Sequence, residues 1–198
     1  ERVRYFDEET RKQLLFESYV VEHLEEALQK GDIKVYYQPI YRVITYKIAG
    51  LEAAPRWHRV HDQILEPKDF VPILEKHHMI HILDTYMIKQ VCKDYAEFRN
   101  FDGVMEPFSL NISVNDFELC DMIDIVNKET ALYEIPRNHV RIELTANKVL
   151  FKDQYVIEEL ERLKYLGYEL WLEDYGDFIS NYKLFSDELF NAYKLDAQ

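Results

Sequence analysis

The sequence predicts a mixed α/β fold built largely from parallel βα units. Three observations predict it. Short apolar runs alternate with longer helical patterns from Lys34 onward. The first two runs are separated only by a tight polar stretch, 41–46, so they form a hairpin. Each run also delivers a carboxylate, amide or amine near its C-terminal end, and in a parallel barrel those ends converge on one face.

The elements follow in order. Residues 8–30 read as one amphipathic helix, with Leu14, Leu15, Tyr19, Leu24, Ala27 and Leu28 at helical spacing. Gly31 supplies its left-handed stop. Because this helix precedes everything that reads as sheet, it is either a connector from an upstream domain or an extra helix packed on the barrel. The strand candidates are 34–40, 47–54, 107–112, 140–145, 168–174 and 192–196. Helical patterns fill the intervals at 69–76, 82–98, 116–129 and 154–166, the last closed by Gly167, with a weak one at 181–187. On the long one, Ile82, Tyr86, Val91, Cys92, Tyr95 and Phe98 lie near one face. No internal repeat or low-complexity tract interrupts the pattern.

Composition bounds what such a chain does. With 198 residues, 47% of them hydrophobic, it is long enough for one domain with a sizeable core, which excludes disorder as the default. A formal charge of −13 argues against a nucleic-acid polymer as partner, since phosphate backbones need clustered Lys and Arg. An acidic chain still binds a phosphodiester where metal cations reverse the local sign. Two cysteines, Cys92 and Cys120, fall in helical stretches, which fits a reducing, cytoplasmic setting better than a disulfide framework. No apolar run approaches the roughly 20 residues needed to cross a bilayer, and no signal peptide is visible. The first residue is Glu1, so a fragment or a processed chain is expected, with room for membrane-tethering segments upstream.

The strand ends carry the chemistry. Glu52, Asn111, Glu143, the pair Glu173 and Asp174, and Lys194 each close an apolar run. Several carboxylates and one amide oxygen at one mouth form a hard-oxygen site suited to Mg²⁺ or Mn²⁺. A metal also resolves the mutual repulsion of the carboxylates. Two such ions clamp the attacking and leaving oxygens of a phosphodiester, and a nearby lysine orients water or stabilises developing charge.

The motifs in order resemble those of the EAL domain family. Val35-Tyr36-Tyr37-Gln38-Pro39-Ile40 looks like its opening strand, and Gly50-Leu51-Glu52-Ala53-Ala54-Pro55-Arg56-Trp57 resembles the signature that names it. The run from Pro67 to Glu75 resembles the helix after that signature. Asn111 and Ser113 match an NxS strand end, Glu143 to Thr145 most of an ExTE end, Glu173 to Gly176 a DDFG end, and Lys194 to Asp196 a KxD end. The resemblance implies a TIM-like (β/α) barrel with an antiparallel first strand, here incomplete at about six strands. It implies cyclic-di-GMP as ligand and a Mg²⁺- or Mn²⁺-dependent phosphodiesterase that yields the linear dinucleotide. Carried over, Glu52, Asn111, Glu143 and Glu173 are the metal ligands. Asp174 supports a second metal, Lys194 holds the catalytic water, and Gln38 and Arg56 contact the nucleotide. Residues 1–31 then resemble a linker helix from an upstream GGDEF or sensor domain, and 32–198 a partial barrel.

Departures from the family pattern lead to the expectation of weakened catalysis. Ala54 stands where leucine is usual, and Pro55 removes a backbone donor just past the strand. Ala146 replaces the glutamate that braces the loop after DDFG, and that loop keeps a single glycine, Gly176. Glu173 lengthens an aspartate arm by one methylene. The last two strands of the family barrel have no counterpart before Gln198, so an exposed sheet edge is expected, covered by further chain or by dimerisation. The expected function is a nucleotide receptor or a regulatory or dimerisation module, with an active phosphodiesterase as the alternative. His77, His78 and His81 read as a solvated helix end rather than a zinc site, and His58 and His61 as a surface loop.

Overall fold

The computed structural model describes residues 7–102, 105–145, 149, 154–173 and 189–195. Helix α1 (Glu8–Lys30) is opened by Asp7, whose carboxylate accepts the Thr10 N–H at 2.7 Å, and closed by Gly31 at φ 73°. Val20, Leu24 and Ala27 are its buried residues, so its C-terminal half packs on the domain while Leu14 and Leu15 stay exposed. Glu17 pairs with Lys76 and His77, and Tyr19 lies against Trp57 under the Arg59 guanidinium.

Strands β1 (Ile33–Tyr41) and β2 (Ile48–His58) form the hairpin, with Gln38 opposite Glu52 and Val35 opposite Pro55. A two-residue strand not anticipated from the sequence, β3 (Ile64–Leu65), pairs with the end of β2. Helix α2 (Pro67–Lys76) starts on a proline, and the Asp69 carboxylate reaches back to the Glu66 N–H at 2.8 Å. Then come α3 (Ile80–Asp102), β4 (Phe108–Asn111), α4 (Asp116–Leu119), α5 (Met122–Leu132), β5 (Val140–Thr145), α6 (Gln154–Tyr165), β6 (Glu169–Glu173) and β7 (Ala192–Tyr193). The single helix expected over 116–129 is two. Cys120 is extended (φ −155°, ψ 167°), and Asp121 starts α5 afresh by accepting the Asp124 N–H at 2.9 Å. The weak helix at 181–187 lies outside the described residues.

Among the described residues the sheet has seven strands in the order β1-β2-β4-β5-β6-β7, with β3 on β2 off this path. β1 is antiparallel to β2, and β2, β4, β5, β6 and β7 run parallel. This is the open α/β arrangement with an antiparallel first strand that the sequence predicts. The parallel strands point their C-terminal ends to one side, here called the mouth. The helices that follow them return to the other side, the base. Leu110, Ile142, Leu144, Leu170 and Leu172 are buried on the strands, and Leu83, Val91, Val126, Leu160 and Leu163 on the helices. Each fully buried aliphatic side chain of this kind contributes about 1.5–3 kcal/mol relative to exposure. No helix among the described residues is long and apolar enough to cross a membrane.

Pro55 corrects one expectation. It lies inside β2, not past its end. It is tolerated because pairing with β4 stops at Ala53, so at Pro55 only β1 is a ladder partner.

Candidate functional site

Side chains two residues apart share a face of a strand. That periodicity brings Glu52 of β2, Asn111 of β4, Glu143 of β5 and Glu173 of β6 together at the mouth, where Lys194 follows β7. The registers agree: Asn111 lies opposite Glu143, and Thr145 opposite Glu173. One carboxylate oxygen each from Glu52, Glu143 and Glu173 lies within 4.8 Å of the others, the one such group of three among the described residues.

Lys194 joins them. Its Nζ donates to Glu52 Oε2 at 2.8 Å and to Glu143 Oε2. Asn111 Nδ2 approaches Glu52 Oε1 at 3.4 Å. Two buried acceptors, Asn111 Oδ1 and Glu143 Oε1, make no hydrogen bond. A buried acceptor without a donor costs free energy. Hard oxygens left in that state beside three carboxylates fit a divalent cation. The four oxygen-bearing residues expected from the sequence to bind metal are thus the ones the sheet gathers.

The charges here are shifted. Burial, the largest cause, raises the Glu143 pKa, Lys194 only partly offsets it, and the neighbouring Glu52 charge adds to it. For Lys194, burial is the largest single cause and lowers its pKa. The hydrogen bonds and charges of Glu143 and Glu52 together outweigh it, so the net shift is upward. The lysine is therefore an ammonium at neutral pH, a donor and not a base.

Gln38 and Arg56 line the same cleft of about 360 Å³ as Glu52, Asn111, Glu143 and Glu173. Arg56 sits 5.9 Å over the Tyr36 ring and donates to the Pro55 carbonyl at 3.0 Å. The cleft continues past the small side chains of Ala53 and Ala54 onto Ile80, Leu83 and Met87 of α3. Asp174, Ala146 and the loop after Glu173 lie outside the described residues. His77 meets Glu17, His78 sits at φ 55° just before α3, and His58 meets the Tyr36 hydroxyl at 3.2 Å.

Sequence reasoning missed two supporting groups. Behind β4, Ser113 donates its hydroxyl to Glu75 at 2.8 Å and its N–H to Asp84 at 3.0 Å. Asp116 is fully buried nearby, and burial first, then the Asp84 charge, pushes its carboxyl up to about 10. Beneath the carboxylates, Arg141 donates to Glu169 at 3.1 Å and to the Ala49 carbonyl at 3.1 Å, and lies 4.6 Å over the Trp171 ring. Stepping back two residues from Glu143, and two and four from Glu173, names these three. Only the strand alternation was needed to find them.

Known proteins share sequence and fold with this chain. The family model described as EAL domain matches residues 21–198. The chain is 24% identical over 175 residues to the cyclic di-GMP phosphodiesterase NbdA of Pseudomonas aeruginosa, covering 88% of this chain and 22% of that protein. It is 25% identical over 185 residues to the probable cyclic di-GMP phosphodiesterase PdeI of Escherichia coli, covering 91% and 23%. Among solved structures, the PaMucR phosphodiesterase in complex with c-di-GMP superposes with a TM-score of 0.77 at 20% identity, over 90% of this chain and 72% of that one. The chain spans about a fifth to about half the length of the curated relatives it matches.

Proposed function

The chain belongs to the EAL domain family, and from that premise we propose that it binds cyclic-di-GMP at the mouth of the sheet and acts as a receptor or regulatory module with weakened hydrolysis. The observation that carries the binding reading is the convergence of Glu52, Glu143 and Glu173 with Asn111 in one cleft with Gln38 and Arg56. Glu52, Asn111, Glu143 and Glu173 would hold Mg²⁺ or Mn²⁺. When bound, the cation supplies positive charge to a phosphodiester oxygen that the carboxylates alone would repel.

The chain's own residues do the rest. Lys194, hydrogen-bonded to Glu52 and Glu143, is placed to donate a hydrogen bond to water or to a phosphoryl oxygen. Arg56 and Gln38 bind and orient the nucleotide, and Asp174 supports a second cation. The weakened step rests on Glu173, whose longer arm displaces its oxygen, and on Ala146, which cannot brace the following loop. A misplacement of this kind costs about 100-fold in rate. Residues 1–31 act as the linker from an upstream GGDEF or sensor domain, and dimerisation is one way to cover the sheet edge.

One observation favours a second reading, a working phosphodiesterase. The three glutamates meet despite the extra methylene of Glu173. Turnover separates the two. The chain is incubated with cyclic-di-GMP and Mn²⁺, products are separated by chromatography, and binding is titrated on the same sample. Saturable binding with intact nucleotide supports the receptor. Linear dinucleotide that disappears in Glu52→Ala establishes the phosphodiesterase. Neither binding nor turnover would sink both.

A further inference from the structure

The base of the sheet, opposite the cleft, is apolar at its tips. The β1–β2 turn projects Val43, Ile44 and Tyr46 there, and α3, α5 and α6 end there at Phe101, Leu132 and Tyr165. Apart from Leu132, at 68%, these side chains are 82–93% exposed. They come from four elements that return to one end of the sheet, so they spread across a face instead of lining a groove. A face of scattered apolar tips fits a flat occupant.

The turn is also strained and positively charged. Tyr46 holds φ 53°, the left-handed region where glycine is the unstrained residue. Strain kept at an exposed aromatic points to a use for the side chain. Between Asp32 and Glu52 the sequence has no acidic residue and carries Arg42 and Lys47 at the turn, with Lys34 at the far end of β1 opposite Arg56, in a chain whose net charge is −13. Every other interval between consecutive acids is shorter. Arg99 and Arg137 add fixed cations at the same end, where they donate to the carbonyls of Tyr133, Glu134 and Leu166. Asp102, Glu106 and Glu134 also fall at this end by position, so the acid-free hairpin is where positive charge is concentrated.

We propose that this base face docks on an anionic phospholipid bilayer, with the hairpin tip in the headgroup region. Tyrosines flanking aliphatic side chains suit that region, where one end of the ring is apolar and the other wet. Arg42 and Lys47 meet the lipid phosphates. Charge decides against a second copy set base to base, because that pairing opposes two copies of the same basic turn. In this orientation the cleft opens away from the membrane, toward ligand in solution.

Cosedimentation of the full chain with vesicles tests this, using phosphatidylcholine alone and phosphatidylcholine with phosphatidylglycerol in about equal amounts. Binding to the anionic vesicles is expected to exceed binding to the neutral ones. Ile44→Ser with Tyr46→Gly, and separately Arg42→Gln with Lys47→Gln, should each weaken it about tenfold. Tyr46→Gly relieves the left-handed strain, so its melting temperature should hold or rise while vesicle binding falls. That opposite movement separates loss of docking from loss of fold. No sedimentation with anionic vesicles, or equal binding by the variants, overturns the proposal. So does self-association in the ultracentrifuge that these substitutions abolish without any vesicle binding, which would make the face an interface between copies.

Discussion

The carboxylate cluster at the mouth and the Arg141 cluster beneath it rise from the same strands, one alternation apart on β5. Their charge balance differs. At the mouth three carboxylates face one ammonium, and two buried oxygens of Asn111 and Glu143 have no donor. Beneath, one guanidinium meets one carboxylate, a backbone carbonyl and the face of an indole. The lower group is nearly neutral and mostly satisfied by its own members, although Arg141 Nη1 makes no hydrogen bond. The upper group is not satisfied from within, and the missing component is positive. Ionisable residues on neighbouring rungs of one sheet are thus told apart by whether their partners are already present.

The largest effect that sharpens this contrast is on metal affinity. Glu143→Gln should weaken Mn²⁺ binding by at least about 100-fold in a calorimetric titration, more than the loss of an outer-shell partner causes. Arg141→Met should leave Mn²⁺ affinity unchanged. Equal losses in the two variants would break the comparison, because the lower cluster would then belong to the site.

The next effect is on stability and belongs to the lower cluster. A Cβ on Gly50 would lie 2.2 Å from Arg141 Nη1 and 2.9 Å from the Pro107 carbonyl oxygen. The side chain can move, but the carbonyl accepts the Leu51 N–H at 2.9 Å and is part of the sheet. Gly50→Ala should therefore destabilise the chain by about 1–3 kcal/mol in urea denaturation, the usual cost of overpacking. A neutral result would mean that Arg141 is not packed into the space left by the glycine.

Much of this was legible in the sequence, for reasons specific to each element. Strand β5 was read with its observed bounds, because turn residues precede it and Val140 and Ile142 alternate with the charged Arg141 and Glu143. The metal-ligand candidates stood out because each closes an apolar run. The break between α4 and α5 did not, since Cys120 is compatible with a helix and only Asp121, acting as a cap, forces a restart. Arg141 and Trp171 close no strand, so only the alternation along β5 and β6 marks them. Asp116 was invisible for a different reason. On a helix pattern an aspartate reads as a solvated charge, and only tertiary packing buries it.

That aspartate gives the last test, because it too is a buried acid beside a second carboxylate. Asp116 is fully buried, and its carboxyl is pushed up to about 10 by burial and by Asp84. With that shift it is the protonated member of the pair at neutral pH, while Asp84 accepts the Ser113 N–H at 3.0 Å. Its folded pKa is above the unfolded value of 3.8, so the folded chain holds a proton that the unfolded chain has released. The contribution to stability is full below that unfolded value. It declines as pH rises through the interval up to about 10, with a slope of at most about 1.4 kcal/mol per pH unit from this one group. Asp116→Asn is close in shape and cannot ionise. In urea titrations across pH the variant should lack this slope and should exceed the parent chain in stability on the alkaline side. Its Mn²⁺ affinity should be unchanged, since the metal-ligand cluster is Glu52, Glu143 and Glu173. Parallel slopes in the two chains would show that Asp116 is ionised in the fold. The pair would then be a second group of carboxylates in need of a cation, and the distinction between the two clusters would no longer hold at the mouth.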